Sequence, residues 1–140
     1  MKKIVLVACA AGKAAKATAA KDLYQSQLFG LTRQFAEQNG EAWYILSAKH
    51  GLVHPEATIH PYDQTLNDMT SPLRFAWALS VAEQIDALQL QGADITILAG
   101  RNYRDFLMPM LEARGHRVRV PMEGLGIGKQ LQYMTRELAA

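Results

Sequence analysis

The sequence lacks the features that would place it in an oxidising compartment or a membrane. It has one cysteine in 140 residues, which cannot form a disulfide within the chain and is typical of a reduced compartment. The apolar run after Lys3 covers only about seven residues, which is short for a signal peptide. No other run approaches the ~20 residues of a membrane span. We therefore expect a cytoplasmic protein with no membrane partner.

Patterns for metal and cofactor binding are also sparse. His50, His54 and His60 lie on one irregular segment with no second cysteine in the chain, which is a poor pattern for zinc. Neither the P-loop nor the dinucleotide-binding fingerprint occurs in the sequence. The sequence therefore predicts no metal site and no bound cofactor.

The formal net charge is only +2, but the charged residues are unevenly distributed. Residues 1–21 carry five lysines and no acidic residue, whereas residues 22–100 carry nine acidic and three basic residues. Residues 101–140 carry seven basic and four acidic residues. A near-neutral chain is not expected to bind a long polyanion nonspecifically. Its two basic ends could instead face one compact anion.

Four apolar runs rich in β-branched residues have the pattern of strands buried on both faces of a parallel sheet. They lie at residues 3–9, 42–48, 93–100 and 116–120. Because segments of helical period separate and follow them, parallel strands joined by right-handed crossovers are expected. We predict one α/β domain, residues 1–140, folded as a three-layer Rossmann-like sandwich. It should have a mostly parallel sheet of about four strands with helices on both faces.

Capping residues position the predicted helices. The first helix is expected to begin after a cap at Asp22 and to end at Gly40. The second follows Ser71-Pro72, a cap and then a proline at the first helical position. The third follows a cap at Asn102, and a fourth lies at the C-terminal end.

Residues 49–70 show no regular period. A connection of this length in a compact domain is usually functional or disordered. Its apolar residues Leu52, Val53 and Ile59 either anchor the segment against the domain or, if exposed, form a surface for a partner.

The residues that follow the predicted strands are the candidate functional groups, because ligands of open parallel sheets bind at the carboxyl ends of the strands. Candidates for ligand binding are Lys13, Lys21, Ser47, Lys49 and Arg101. Candidates for catalysis are Cys9, His50, Tyr62 and Asp63. We expect these groups to share one edge of the sheet, where the two basic ends of the chain would meet.

Each candidate catalytic group admits two interpretations. Neighbouring lysines favour a reactive thiolate at Cys9, or Cys9 is a small buried side chain. His50 is a general acid or base, or it caps backbone groups in a turn. Asp63 activates water or binds a ligand hydroxyl beside Tyr62, or it closes an Asx turn after proline.

A glycine-rich turn precedes the last predicted helix. Gly124, Gly126 and Gly128 either present backbone N–H groups to a phosphate or carboxylate or allow close backbone packing. Arg101 is expected to bind phosphate bidentately, whereas Arg104 is expected to be solvated.

Five longer motifs extend over nearly the whole chain. They are Cys9-x3-Lys13, AKDLYxSxLF at 20–29, WYILSAKHGL at 43–52, PYDxTL at 61–66 and PMxGLGIGxQL at 121–131. Together they resemble a family of small bacterial and phage proteins classed as a domain of unknown function. This resemblance is specific in its motifs and brings no established activity.

The arrangement of Cys9 and Lys13 before Tyr24 and Ser26 resembles, more distantly, the core domain of archaeosine synthase. That protein modifies a base of tRNA, and its fold is grouped with the uracil-DNA glycosylases. The resemblance implies chemistry on a nucleobase or nucleic acid, with these four residues as site positions.

Three hypotheses about function follow. The first is an enzyme that acts on a nucleobase or nucleotide, free or in nucleic acid, by cleaving or exchanging the glycosidic bond. In this enzyme Tyr62 or Tyr24 stacks on the base, and Asp63 orients water or stabilises charge on the sugar. Phosphate is held by Lys13, Lys21, Arg101 and the glycine-rich turn.

The second hypothesis is a non-catalytic module that binds a nucleotide or nucleic acid. The third is an interaction domain that uses the irregular segment 49–70. The sequence leaves the oligomeric state open.

Overall fold

A five-stranded sheet forms the centre of the protein in the computed structural model, which describes residues 1–8 and 13–140. Its strands are β1 (Lys3–Ala8), β3 (Ala42–Ser47), β4 (Gly51–Val53), β6 (Asp94–Leu98) and β7 (Arg117–Arg119). Their order is β4-β3-β1-β6-β7. Every pairing is parallel except that of β3 with the edge strand β4. The four predicted strands are confirmed, and β4 is an addition to them.

The central strand β1 is buried on both faces, as its unbroken apolar run predicts. Ile4 and Leu6 belong to the hydrophobic cluster on one face of the sheet. Val5 and Val7 belong to the cluster on the other face. Alternate side chains of a strand point to opposite faces, so β1 contributes to two separate cores.

Helices cover both of these faces. The helices are α1 (Ala20–Leu23), α2 (Gln27–Asn39), α3 (Ser71–Asp86), α4 (Arg101–Arg104), α5 (Leu107–Ala113) and α6 (Ile127–Ala139). Phe29 of α2 and Met134 of α6 pack in the cluster with Val5. Val81 of α3 and Leu111 of α5 pack in the cluster with Ile4. The α/β fold with a mostly parallel sheet and packed helices is therefore confirmed.

The prediction of Asp22 as the cap of the first long helix is wrong. Residues 20–23 form the short helix α1, which ends where Tyr24 adopts an extended backbone conformation. The cap of α2 is Ser26, whose Oγ accepts a hydrogen bond from the Phe29 N–H at 3.1 Å. Asp22 instead accepts a hydrogen bond from Arg33 at 2.9 Å. The end of the helix at Gly40 is confirmed.

Two other helix starts differ from the prediction by one or two residues. The cap of α3 is Thr70, so Ser71 is already helical. Asn102 lies inside α4, whose cap is Gly100, and its side-chain amide donates to Asn67 at 2.8 Å. In both places the side chain predicted to cap lies just inside the helix.

The segment 49–70 contains short elements that its sequence does not reveal. β5 (Thr58–Ile59) pairs antiparallel with β2 (Thr18–Ala19), and residues Leu66–Asp68 form a 3-10 turn. Val53 and Ile59 are buried within the domain, so they are anchors and not a partner surface. Pairings of two or three residues are too short to produce a recognisable period.

The side chain of Gln84 in α3 protects the exposed edge of β4. Its Oε1 accepts a hydrogen bond from the Leu52 N–H at 2.8 Å. Its Nε2 donates to the carbonyl of Leu52 at 3.4 Å. An amide side chain thus occupies the hydrogen-bonding positions that a sixth strand would use.

We expect Gly51→Ala to lower the free energy of unfolding by about 1–3 kcal/mol. Gly51 has φ +74°, and an added Cβ would overlap Oε1 of Gln84. Urea denaturation measures the change. Gly30→Ala is the control, because Gly30 is helical with open space around it, and alanine there should stabilise by about 0.5–1 kcal/mol. Equal effects of the two substitutions would contradict the strain at Gly51.

In the part of the chain that the structure describes, no helix is both long enough and apolar enough to cross a bilayer.

Candidate functional site

After two neighbouring parallel strands, β1 and β6, the chain turns towards opposite edges of the sheet. From β1 the chain continues through α2 to β3 on one side, and from β6 it continues through α4 and α5 to β7 on the other. A crevice opens between the carboxyl ends of two such strands, and ligands of α/β proteins bind there. The strand order therefore places the candidate site between β1 and β6.

A cavity of about 370 Å³ occupies this crevice. Its volume lies within the range of about 300–1,000 Å³ that is typical of small-molecule sites. The ends of β1 and β6 form its floor, and the first turns of α2, α4 and α6 form its walls. Most of its lining is apolar, and its polar side chains are Ser26, Gln27, Thr32, Asn67, Tyr103 and Gln130.

Three of these polar side chains retain groups that can bind a ligand. The side-chain amide of Gln27 makes no hydrogen bond with any described residue. The amide nitrogen of Gln130 donates to the Leu125 carbonyl at 2.7 Å, which leaves its oxygen as an acceptor. The oxygen of Asn67 accepts from Asn102, which leaves its amide nitrogen as a donor. The cavity therefore offers both donors and acceptors within an apolar wall.

Lys13 and two tyrosines form a cluster that we name the Lys13–tyrosine cluster (Lys13, Tyr24 and Tyr62). The hydroxyls of Tyr24 and Tyr62 share a buried hydrogen bond of 2.5 Å. The Lys13 ammonium lies 4.6 Å from the ring centre of Tyr62 and 5.9 Å from that of Tyr24. Such contacts of a cation with aromatic faces are attractive, so the tyrosines hold Lys13 in place.

The Lys13–tyrosine cluster adjoins the cavity through Phe29. The ring centres of Tyr24 and Phe29 are 5.1 Å apart, and Phe29 lines the cavity. Ser26, between them in sequence, also lines it. The structure therefore brings together Lys13, Tyr24, Ser26 and Tyr62, which the sequence analysis named for different reasons.

Lys13 differs from Lys21 and Arg101 in its partners, and from the exposed Lys49 in its burial. Lys21 pairs with Glu56 at 2.5 Å, and Arg101, 82% exposed, pairs with Asp105 at 3.1 Å. Lys13 is half-buried and pairs with no carboxylate in residues 1–8 and 13–140. Lys13 is therefore the candidate cation best placed to gain from an anionic ligand.

Other predicted site residues lie apart from the cavity lining. Ser47 is fully buried, and its Oγ accepts hydrogen bonds from the N–H groups of Lys49 and His50 at 3.3 and 3.0 Å. It therefore stabilises the turn after β3. The Lys49 and Asp63 side chains are exposed. Cys9 lies outside the described residues.

The glycine-rich turn lies at the start of α6, beside the cavity. Gly124 has φ +80°, and Gly126 is the cap of α6. No described atom lies within 4 Å of a Cβ added to Gly124, Gly126 or Gly128. Close backbone packing therefore does not explain these glycines, although Gly124 needs a left-handed conformation.

Two arginines differ from their sequence-based interpretation. Arg104, which was expected to be solvated, has a side chain only 12% exposed and pairs with Glu123 at 3.5 Å. It thus links α4 to the residue that precedes the glycine-rich turn. Arg101 faces solvent beside Asp105, so it would have to leave this ion pair to bind a phosphate in the cavity.

His50 contacts the Lys13–tyrosine cluster from outside. Its ring centre lies 5.8 Å from that of Tyr62, with the planes nearly perpendicular. Partial burial, and then the charge of Lys49, lower the pKa of His50 below its ordinary 6.5. The folded protein therefore favours the neutral imidazole, which can accept a proton.

This lowered pKa of His50 predicts a pH dependence of stability. Below pH 6.5 the unfolded chain binds a proton at His50 more readily than the folded chain does, so stability should fall as the pH decreases through that window. Urea midpoints at about pH 5.5 and about pH 7.5 measure the effect. His50→Gln should reduce the difference between the two midpoints slightly. An unchanged difference would show that His50 does not contribute.

Several cavity residues were not predicted as site residues from the sequence, among them Gln27, Phe29, Asn67, Tyr103 and Gln130. Phe29 and Gln130 occur in the longer motifs, but nothing in those motifs indicates that either residue lines a site. Asn67 and Tyr103 come from a 3-10 turn and a short helix. Their convergence depends on the strand order, which local periodicity does not determine.

Among the residues described, no group of three or more His, Cys, Asp or Glu side chains could hold a metal ion.

Comparison with known proteins gives a family and no named relative. The model of a family described as "Family of unknown function (DUF6884)" matches residues 4–136. No curated protein matches the chain, and no solved structure does.

Proposed function

The chain belongs to the DUF6884 family of unknown function, and we propose that it binds a nucleotide in the β1/β6 cavity and acts on its base. The observation that carries this proposal is the cavity itself. It is mostly apolar, it offers amide donors and acceptors, and it adjoins a lysine that has no carboxylate partner among the described residues.

The base is the part of a nucleotide that suits the cavity walls. Phe29 and Tyr103 supply aromatic surface, and amide side chains pair with the donor and acceptor groups on base edges. A volume of about 370 Å³ suits a compact ligand and not a duplex. A base in nucleic acid would therefore have to be single-stranded or flipped out of its helix.

The phosphate is the part that suits Lys13. A half-buried cation has lost some of its hydration and gains from a negative partner. Because Lys21 and Arg101 already have acidic partners, Lys13 is the cation we assign to the phosphate. This differs from the hypothesis that all three share it.

The buried tyrosines have a different role from base stacking. Neither Tyr24 nor Tyr62 is among the described residues that line the cavity, and the Lys13 ammonium lies over the ring of Tyr62. They therefore position the Lys13 ammonium. The resemblance to archaeosine synthase supports base chemistry here, since Lys13, Tyr24 and Ser26 lie in or beside one cavity.

The reaction we propose is hydrolysis or exchange of the N-glycosidic bond. In hydrolysis the oxygen of a water molecule bonds to C1′ of the sugar, the C1′–N bond breaks, and the base leaves with its bonding electrons and a proton. Asp63, which follows Tyr62 of the Lys13–tyrosine cluster and is exposed outside the cavity lining, would stabilise the positive charge that develops on the sugar or orient the water. The neutral imidazole of His50 is available to take this proton from the water and pass it to the leaving base.

The test uses the full chain with a panel of nucleosides, nucleotides and single-stranded oligonucleotides, both unmodified and base-modified. Equilibrium binding measures affinity, and chromatography detects released base. We expect Asp63→Asn to slow base release by about tenfold or more while affinity is kept. Gln27→Leu should weaken binding about fivefold by removing a hydrogen bond. The control is Gln34→Leu, an exposed glutamine of the same helix α2.

The outcomes separate the enzyme from a non-catalytic module. Binding with no release of base from any member of the panel would leave the binding module and reject the reaction. Absence of binding, or equal effects of Gln27→Leu and Gln34→Leu, would reject the assignment of the cavity. The interaction domain on segment 49–70 loses its support, because Val53 and Ile59 are buried.

A further inference from the structure

Over residues 71–80 the helix α3 exposes no charged side chain on the side that faces solvent, and its side that faces the core is apolar. Trp77, Val81 and Ile85 are buried against the sheet. On the outer side, Leu73 and Leu79 are 57% and 38% exposed. Phe75 is 49% exposed at the flank of this surface, and the exposed Ala76 and Ser80 complete it. We call these five exposed residues the α3 face.

The other long helices do not share this property. The exposed residues of α2 include Gln34, Glu37 and Gln38, and those of α6 include Lys129 and Arg136. A surface helix normally has charged and polar residues on its outer side, whereas a helix that is apolar all round is usually buried. The α3 face therefore has the composition of a covered surface.

An aromatic contact extends the α3 face towards the next helices. The ring centre of Phe75 lies 5.5 Å from that of Phe106, with the planes inclined at 77°. Phe106 lies between α4 and α5 and is partly buried. The apolar surface is thus contiguous across two parts of the fold, which distinguishes an interaction site from scattered single residues.

We propose that the α3 face is the interface of a symmetric dimer, in which α3 of one copy packs antiparallel against α3 of a second copy. The α3 face carries no charged side chain, so it meets its own copy without repulsion between like charges. A two-fold axis near residues 76–79 would bring Phe75 of each copy towards Leu79 of the other. Antiparallel packing also opposes the two helix dipoles.

The charges at the ends of α3 fit this arrangement. Glu83 is exposed and lies near the C-terminal end of the outer side of α3. In the antiparallel pair it would lie beside the N-terminal turn of the other copy, where Ser71 and Pro72 begin the helix. Because the N-terminal end of a helix carries partial positive charge, a carboxylate there is stabilising. This complementarity favours a second copy over an unrelated partner.

The test measures the association of the full chain by sedimentation velocity over the micromolar range. We expect a concentration-dependent dimer, and we expect Leu79→Lys to raise its dissociation constant about tenfold or more by burying a charge at the interface. Gln34→Lys adds the same charge to the exposed side of α2 and should leave the dissociation constant unchanged. Thermal unfolding monitored by circular dichroism confirms that both variants remain folded.

Cross-linking tests the geometry of the dimer. In a Cys9→Ser background, Ala76→Cys should form an intermolecular disulfide under mild oxidation, because position 76 lies near the proposed axis. Gln34→Cys should not. A wild-type chain that remains monomeric, a dimer that Leu79→Lys does not weaken, or equal cross-linking at both positions would each overturn the proposal.

Discussion

Trp77→Ala should lower the free energy of unfolding by about 3–5 kcal/mol, the cost of removing a large buried aromatic side chain. Trp77 connects α3 to the sheet and to α4. Its Nε1–H donates to the Ser47 carbonyl at 2.8 Å, and its ring packs against Tyr103 at 5.6 Å between centres. Because Tyr103 lines the cavity, affinity for the ligand should fall as well.

Two controls separate the contributions of Trp77. Trp77→Phe keeps most of the packing and removes the hydrogen bond, so it should cost only about 1–2 kcal/mol. Ser80→Ala changes an exposed position of the same helix and should stay within about 0.5 kcal/mol. Urea denaturation measures all three variants. A midpoint for Trp77→Ala equal to that of Ser80→Ala would show that this tryptophan does not hold α3 on the sheet.

Lys13→Met should weaken the binding of a nucleotide by about tenfold to 100-fold, because a hydrogen bond to a charged group contributes about 1.5–3 kcal/mol. Methionine has a side chain of similar length to the alkyl part of lysine and lacks the ammonium that lies over Tyr62, so the variant removes charge more than packing. The affinity for the matching nucleoside, which has no phosphate, should not change. This difference between nucleotide and nucleoside is the signature of a phosphate contact.

Titration calorimetry with both ligands provides the measurement. Lys16→Met is the matched control, since Lys16 is an exposed lysine three positions away. Added salt should weaken nucleotide binding by the wild type and have little effect on Lys13→Met. Equal losses for nucleotide and nucleoside would assign Lys13 a structural role and contradict the phosphate contact.

Much of the fold follows from local patterns in the sequence. The run at 3–9 predicted a strand buried on both faces, and Ile4 and Val5 do lie in different cores. Helix boundaries were less accurate at Asp22, because an extended residue, Tyr24, separates α1 from α2. The edge strand β4 was missed, because its three residues are held by Gln84, 32 positions away from Leu52.

The candidate site was predicted in part. Sequence patterns named Lys13, Tyr24, Ser26 and Tyr62, and the structure brings them together beside the cavity. The sequence also predicts Arg101 as a phosphate ligand. In the structure Arg101 instead pairs with Asp105, one helical turn away. Whether a lysine or an arginine has a carboxylate partner depends on neighbours that fold next to it.

The sequence by itself determined four of the five strands of the central sheet and the long helices, because burial imposes a period on side chains that are close in the chain. It also determined that one cysteine and a charge of +2 leave no disulfide and no large excess of charge. Only the tertiary structure decided the strand order β4-β3-β1-β6-β7. That order opens the cavity between β1 and β6, and folding leaves Lys13 half-buried beside it with no carboxylate partner in residues 1–8 and 13–140. Such contacts join residues far apart in the chain, and their energies depend on distances that no local period encodes.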